Sequence, residues 1–319
     1  MLNRPLSQSN SLHVVVPTLN AARDWPSFLP ALLSSGVQPD QVLIVDSEST
    51  DGTPELARAA GFEVVSILRA DFNHGGTRQM AADRLAHAEI LVYLTQDAVL
   101  ASPDAIKMML AAFDDPLVGA ACGRQLPRPE AGAIEAHARI FNYPATSEMR
   151  SLASRDRLGI KAVFLSNSFA AYRRSALLQV GGFPRDVLFG EDTLVAAKLL
   201  LAGFKLAYVA EASVYHSHSY TWVQEFRRYF DIGVLHSREH WLIDEFGNAT
   251  GEGNRFVVSQ LKYLRDTDSW QIPSALVRIG LKLLGYRLGQ IEARLPLAIK
   301  LKLSMHPGFW SSKSGMHPQ

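Results

Sequence analysis

The chain has 319 residues, of which 47% are hydrophobic and 20% charged, and its formal net charge is +1. These values describe a globular protein of one large domain or two smaller ones. Cys122 is the only cysteine, which excludes an intrachain disulfide. No stretch approaches the ~20 apolar residues that cross a bilayer, and residues 1–10 lack the apolar core of a signal peptide. We therefore expect a cytoplasmic protein.

The first third of the chain alternates apolar runs of strand length with segments of helical composition. The predicted strands are 13–16, 42–45, 63–67 and 90–94. The predicted helices are 24–35, 53–60 and 76–87. Thr53 begins one helix as a capping hydroxyl, followed by a first-turn proline and an acid at the positive end of the dipole. Short apolar strands separated by helices predict an α/β fold whose mostly parallel sheet is flanked by helices. A ligand should then bind beyond the carboxyl ends of the strands.

The later part of the chain contains a long polar segment and then a helical region. Residues 124–157 include three prolines and predict an irregular or lid-like insertion. The next predicted elements are a strand, a helix and a short strand, at 164–172, 191–202 and 205–209. From Tyr220 the chain is predicted to be mostly helical to about Met305. We expect a catalytic domain at 1–219 and a helical C-terminal region at 220–319.

Polar residues follow the predicted strands in a consistent way. Asp46 ends the second strand, where a carboxylate binds a pyrimidine base or ribose hydroxyls, or simply stabilises a turn. Asp97 follows the fourth strand, and a lone carboxylate there suits one ligand of a Mg²⁺ ion that bridges a diphosphate. Gln96 and Ala98 flank it, so the second acid of an Asp-x-Asp motif is absent.

Three further groups could carry chemistry, each with a plainer alternative. His74 and Arg78 bracket a glycine-containing helix start, which attracts a phosphate or forms an ordinary turn with a surface arginine. Glu191 and Asp192 begin a helix, either as capping acids or as a base that the helix dipole keeps ionised. The third group is the pair His216 and His218.

His216 and His218 lie two residues apart in an extended segment and therefore face the same side. They bind a metal or a phosphate, or form structural hydrogen bonds. Walker-type, Gly-x-Ser-x-Gly, Cys-x-x-Cys and His-Glu-x-x-His motifs are absent from the sequence. With no basic face in the first domain, nucleic acid is not an expected partner.

The order of these motifs resembles that of the family 2 glycosyltransferases of GT-A fold over about residues 11–220. The motifs are Val-Val-Val-Pro-Thr-Leu-Asn at 14–20, Ile-Val-Asp-Ser at 44–47, Gly-Gly-Thr-Arg-Gln at 75–79, Gln-Asp at 96–97 and Gly-Glu-Asp at 190–192. Within that family, Tyr-His-Ser-His at 215–218 and Phe-Gly-Glu-Asp-Thr at 189–193 look like the bacterial rhamnosyltransferases. The Gln-x-x-Arg-Trp motif of processive synthases is absent, so we expect transfer of a single sugar.

The resemblance implies roles for individual residues. It assigns nucleotide-sugar binding to Pro17, Thr18, Asn20, Asp46, Ser47, His74, Arg78, Gln96 and Asp97. It makes Asp192 the catalytic base with Glu191 in support, and a divalent cation, Mg²⁺ or Mn²⁺, is expected at Asp97 with His216 or His218. The implied reaction is an inverting transfer, with dTDP-L-rhamnose as the expected donor and a cell-surface polysaccharide or lipopolysaccharide as acceptor. A UDP- or GDP-sugar donor and a non-catalytic binding protein are the alternatives.

Basic residues predominate after Ser274, and apolar residues recur there at helical spacing. Such a segment lies on the cytoplasmic face of an anionic membrane, or it packs on the catalytic domain with a solvated basic side. Peripheral contact with the inner membrane would suit a lipid-linked acceptor.

Overall fold

The computed structural model describes residues 12–247 and 251–313, and a nine-stranded sheet forms between residues 12 and 215. The strands are β1 (Leu12–Thr18), β2 (Val42–Asp46), β3 (Glu63–Ser66), β4 (Ile90–Leu94), β5 (Val99–Leu100), β6 (Val118–Leu126), β7 (Glu148–Arg150), β8 (Phe169–Arg173) and β9 (Lys205–Tyr215). Their order across the sheet is β3-β2-β1-β4-β8-β6-β9-β5, and β7 also pairs with β9.

The four strands predicted in the first third form one parallel block of the sheet, and β6 and β9 also pair in parallel. β1 lies between β2 and β4, and β3 flanks β2, all in parallel. Every residue of β2 and β4 is buried, as expected for continuous apolar runs covered on both faces. The register pairs Thr18 with Asp46, so the polar residues that follow these strands emerge at one edge.

Helices cover both faces of this sheet. They are α1 (Trp25–Ser34), α2 (Thr53–Ala59), α3 (His74–Arg84), α4 (Ala105–Leu110), α5 (Ala133–Asn142), α6 (Arg155–Leu158), α7 (Arg174–Gln179), α8 (Glu191–Leu201), α9 (Trp222–Arg238), α10 (Trp241–Phe246), α11 (Glu252–Thr267), α12 (Ile272–Gln290), α13 (Leu297–Leu303) and α14 (Pro307–Lys313). Alternate residues of β1 enter separate apolar clusters, with Val15 in one and Val14 and Val16 in the other. The predicted α/β fold with a helical C-terminal region is confirmed.

Several local predictions were wrong. Residues 124–157 are not an irregular insertion, because they contain the end of β6, α5 and β7, and α5 packs against α11. The strand predicted from residue 164 begins at Phe169, and the strand predicted at 205–209 continues to Tyr215. Thr53 does not cap α2: Gly52 occupies that position, and the Thr53 hydroxyl bonds to Asp51 instead.

Three basic residues of the C-terminal helices face acids of neighbouring elements. Arg278 and Lys282 of α12 lie 3.3 and 3.6 Å from the Glu225 carboxylate of α9. Lys300 of α13 similarly lies 2.6 Å from Glu292. The prediction of a solvated or membrane-facing basic side is therefore wrong for these three residues, because acids from other elements neutralise them. In the described ranges, no helix combines the length and apolarity that a membrane span requires.

Candidate active site

The residues that follow β1 and β2 form a hydrogen-bonded cluster. The Thr18 hydroxyl donates to Asp46 Oδ1 at 3.0 Å, and the Ser49 amide donates to Asp46 Oδ2 at 2.9 Å. Asp46 is 1% exposed, so its carboxylate stabilises the turn in this state. Within the described ranges, the buried Ser47 hydroxyl has no hydrogen-bond partner. The assignment of Asp46 and Ser47 to the nucleotide stays a prediction.

Gln96 and Asn20 hold the loop after β1 in place. The Gln96 side chain accepts from the Leu19 amide at 2.8 Å and donates to the Leu19 carbonyl at 3.1 Å. Asn20 has a left-handed φ of 51°, and its side chain accepts from the Thr50 amide at 2.9 Å. Pro17, at the end of β1, is only partly buried. Backbone atoms of this loop are thus fixed beside Asp97, which follows Gln96.

Asp97, His216 and His218 converge after β4 and β9. His216 Nε2 lies 3.3 Å and His218 Nε2 3.8 Å from the same carboxylate oxygen of Asp97. One ligand atom from each residue fits within 4.8 Å of the others. Burial alone would raise the pKa of Asp97, but the hydrogen bond from His216 and the histidine charges outweigh it, so this pKa is below its usual range. These three residues fit a divalent cation.

Gln125 of β6 determines which nitrogen of His216 faces Asp97. Gln125 Oε1 accepts from the Arg139 guanidinium at 2.7 Å, and only an oxygen can accept that bond. His216 Nδ1, 2.9 Å from the same oxygen, must therefore be a donor. Because Nδ1 bonds to Gln125, Nε2 is the nitrogen that faces Asp97, and it is therefore the atom available to a cation there. Burial and the neighbouring His216 lower the pKa of His218 to about 4, so its ring is neutral at pH 7.

Asp192 lies in the first turn of α8. Gly190 precedes the helix with φ of 81°, a conformation that a residue with a Cβ rarely adopts. The backbone amides of Asn167 and Thr193 donate to the two Asp192 oxygens at 3.1 and 2.8 Å. Burial and the adjacent Glu191 charge nevertheless raise the pKa of Asp192 to about 6. The expectation that the helix dipole lowers this pKa was wrong, because these two effects are larger.

Glu191 differs from Asp192 in having an ion-pair partner. Its carboxylate lies 3.1 Å from the Arg78 guanidinium and accepts a hydrogen bond from the Asn167 side-chain amide at 2.9 Å. Burial would raise the pKa of Glu191, but the charges of Arg78 and His74 lower it on balance. Gly75, expected to let the backbone approach a ligand, instead lets it approach Pro184: an added Cβ would lie 1.7 Å from the Pro184 carbonyl oxygen. Of the adjacent acids, Asp192 is therefore the one suited to accept a proton.

One open cavity of about 790 Å³ brings the two halves of the site together. The predicted residues that line it are His74, Arg78, Asp97, Glu191, Asp192, His216 and His218. Residues 17–20, 46–47 and 96 are not among its lining, and we call them the strand-end cluster. The cavity thus combines an Asp-His-His group that fits a cation with the Asp192 carboxylate, whose pKa is raised.

Sequence reasoning missed several residues of this site. Asn167 connects Glu191, Asp192 and Tyr172, Gln125 orients His216, and His306 lines the cavity from the far end of the chain. Asn167 lies in a short Ser-Asn-Ser run before a buried strand, and that polar run was a usable signal. Gln125 had no such signal, since its role depends on the pairing of β6 with β9.

The sequence profile of Glycosyl transferase family 2 matches residues 13–181, which contain the strand-end cluster and Asp97. The chain belongs to this family. Two curated relatives of this glycosyltransferase are O-antigen chain rhamnosyltransferases: RfbN of Salmonella typhimurium is 45% identical, covering 94% of this chain and 96% of its own, and WbaN of Salmonella anatum is 43% identical, covering 95% and 96%. The expected likeness to bacterial rhamnosyltransferases is confirmed.

More distant proteins share parts of this glycosyltransferase. An N-acetylglucosaminyl-diphospho-decaprenol L-rhamnosyltransferase of Mycobacterium tuberculosis is 30% identical, covering 66% of this chain and 77% of its own. A mannosyltransferase from Pyrobaculum calidifontis, solved with GDP-mannose and Mn²⁺, superposes with a TM-score of 0.56 at 20% identity, covering 92% of this chain and 84% of its own. That similarity shows the GT-A fold.

Proposed function

We propose that this glycosyltransferase moves L-rhamnose from dTDP-L-rhamnose to a hydroxyl of a lipopolysaccharide or related polysaccharide acceptor, with inversion. One observation carries the proposal: the Asp192 carboxylate, whose pKa is raised, and an Asp-His-His set line one cavity in a chain 45% identical to an O-antigen rhamnosyltransferase. The first group serves the attacking hydroxyl, and the second serves the leaving diphosphate.

Asp192 is the proposed general base. It takes the proton of the acceptor hydroxyl, whose oxygen bonds to the anomeric carbon as the bond to the diphosphate breaks. Each Asp192 oxygen already accepts one amide hydrogen bond, so the carboxylate is oriented and keeps a lone pair for this proton. Glu191 and Arg78 position the turn that carries it.

Asp97, His216 and His218 are the proposed cation ligands. Such a cation neutralises charge on the diphosphate when bound. Two imidazoles beside one carboxylate favour Mn²⁺ over Mg²⁺, because Mg²⁺ prefers an all-oxygen set with several waters. The strand-end residues Thr18, Asn20 and Asp46 would then hold the nucleotide on the adjacent side.

The function is tested by a donor screen followed by a transfer assay. Thermal shifts with dTDP-rhamnose, UDP-glucose, UDP-N-acetylglucosamine and GDP-mannose identify the donor. Transfer is then measured to synthetic undecyl diphosphates that carry galactose, glucose or N-acetylglucosamine. We expect a shift and transfer with dTDP-rhamnose. Stabilisation only by UDP- or GDP-sugars would overturn the donor, and no transfer to any acceptor would overturn the acceptor class.

Gln125→Leu should weaken Mn²⁺ binding about 10- to 100-fold, as loss of a partner that orients a metal-bound histidine typically does. Without the Gln125 oxygen, the His216 ring loses the bond that directs Nε2 towards Asp97. Titration followed by Mn²⁺ electron paramagnetic resonance measures the affinity. Gln179→Leu, the same change at an exposed position at the end of α7, is the control. Equal affinities of Gln125→Leu and wild type would contradict this ligand set.

The outer face of α12 is the proposed membrane contact. Leu276, Leu283 and Leu284 are 52, 59 and 52% exposed and lie on one side of the helix at its 3.6-residue repeat. Exposed Arg287 is on the same side, while the other bases of α12 point inward. An apolar face with a cation suits an anionic bilayer. Such a contact would bring the cavity to a lipid-linked acceptor, the kind that the mycobacterial relative is named for.

Leu276→Ser, Leu283→Ser and Leu284→Ser combined should abolish flotation with vesicles that contain phosphatidylglycerol. Each exposed leucine contributes apolar area at about 25 cal/mol per Å² buried, so three losses are expected to exceed the free energy of a peripheral contact. The matched control replaces Leu56, Leu68 and Leu117, which are 44, 57 and 50% exposed away from α12. Flotation of both triple variants to the same extent as wild type would rule out this face.

A further inference from the structure

His306, near the C-terminal end of the described residues, lines the same cavity as the proposed base Asp192. His306, which follows α13, lines the cavity together with His74 and Phe189. Its ring lies nearly parallel to that of Phe189, at 16° and 6.2 Å between centroids, and edge-on to that of His74 at 5.1 Å. Both Phe189 and His306 are partly exposed, and the Arg228 guanidinium lies over the Phe189 ring at 5.5 Å, so His306 carries most of the ring surface that a ligand could contact.

A buried contact with α9 holds His306 in this position. Asp231 of α9 is 1% exposed, and its carboxylate accepts a hydrogen bond from the Met305 amide at 2.8 Å. The Ser304 hydroxyl accepts from the His306 amide at 2.9 Å. Buried Trp310 of α14 then packs in one apolar cluster with Phe230 and Val234 of α9. These contacts therefore fix segment 304–306 at the cavity.

The His306 ring presents an uncharged face. Burial, with the nearby His74 and the Arg228 charge, lowers the pKa of His306 to about 3. A neutral ring beside a phenylalanine forms an apolar wall, and most small-molecule sites combine such walls with a few polar groups. Phe189 is separated from the acids of α8 only by Gly190. The wall and Asp192 therefore line the same cavity, and Glu191, the neighbour of Asp192, is the acid whose charge acts on His306.

We propose that His306 and Phe189 form the acceptor subsite, where they bind the apolar face of the sugar ring whose hydroxyl Asp192 deprotonates. This proposal rests on the proposed function, because it takes Asp192 as the base and a sugar as the acceptor. His306 is a positioning residue for that ring. A sugar with a continuous C–H face fits, since aromatic side chains gain most from apolar area laid flat on the ring.

The test is steady-state kinetics of the full chain, with the glycosyl undecyl diphosphates above as acceptors. His306→Ala should raise the acceptor KM about tenfold, the upper range for an aromatic contact, while the donor KM changes less than about twofold. His306→Phe should return the acceptor KM to within about threefold of wild type, because it restores a ring. Lys302→Ala, an exposed change on α13, is the control and should leave both constants unchanged.

An unchanged acceptor KM in His306→Ala, or equal increases in both KM values, would overturn the acceptor wall. Failure of His306→Phe to restore the acceptor KM would overturn it too. If His306→Ala does not fold, Phe189→Leu tests the same wall from α8 and should give the same split. No transfer by wild type to any of the acceptors is a different result, since it contradicts the proposed function itself.

Discussion

Asp192→Asn should lower the transfer rate by about 10²- to 10⁴-fold, the usual contribution of a general base. Asparagine keeps the size of the side chain and one of its two backbone amide contacts, since its single oxygen can accept only one of them, but it cannot accept the proton of the acceptor hydroxyl. Donor affinity should stay within about twofold of wild type, because only the transition state loses an interaction. Single-turnover transfer and donor titration separate the two effects.

The pH dependence of wild type provides a second signature of the same residue. A base acts when it is ionised, and the pKa of Asp192 is raised to about 6. Transfer at low substrate should therefore fall as the pH falls through about 6, well above the ordinary aspartate value of about 4. The residual activity of Asp192→Asn should lack this acidic limb.

The control for Asp192→Asn is the same substitution at Asp104, an exposed acid before α4 whose side chain makes no capping bond. Asp104→Asn should keep wild-type rates and the acidic limb. Near-normal turnover of Asp192→Asn would remove Asp192 as the base. A limb that persists in that variant would assign the titration to another group.

What could be predicted from sequence was set by local patterns. The apolar runs at 42–45 and 90–94 located two central strands, because burial on both faces leaves an almost uninterrupted hydrophobic signature. The tip of each strand then located Asp46 and Asp97. Only the order of the motifs, rather than any one of them, distinguished Asp192 from an ordinary capping acid.

The errors arose where distant segments decide the outcome. Helical spacing identified the basic side of α12, but Glu225 of another helix turned Arg278 inward. The dipole argument for Asp192 omitted its burial and the adjacent Glu191 charge, which together raise its pKa. Likewise, the orientation of His216 by Gln125 follows from the pairing of β6 with β9, which places Gln125 opposite Val214. No window of local sequence contains that register.

Glu191→Gln and Arg78→Met should each destabilise the fold by about 3–5 kcal/mol, because each leaves a buried charge without its partner. Both side chains are 6% exposed and lie 3.1 Å apart. Urea unfolding at constant m value measures the change. The control is Arg84→Met, which breaks an ion pair with Glu63 that is about half exposed, and a loss below about 1 kcal/mol is expected there.

The double variant Arg78→Met with Glu191→Gln should be less destabilised than the sum of the two single variants, since it leaves neither charge unpaired. Additive losses would show that packing, rather than the ion pair, dominates.

Glu191→Gln also tests how Glu191 affects the pKa of Asp192. It removes the negative charge that raises the pKa of Asp192 and leaves the Arg78 charge that lowers it. Its acidic limb should therefore move to lower pH, and an unmoved limb would leave burial alone as the cause of the raised pKa.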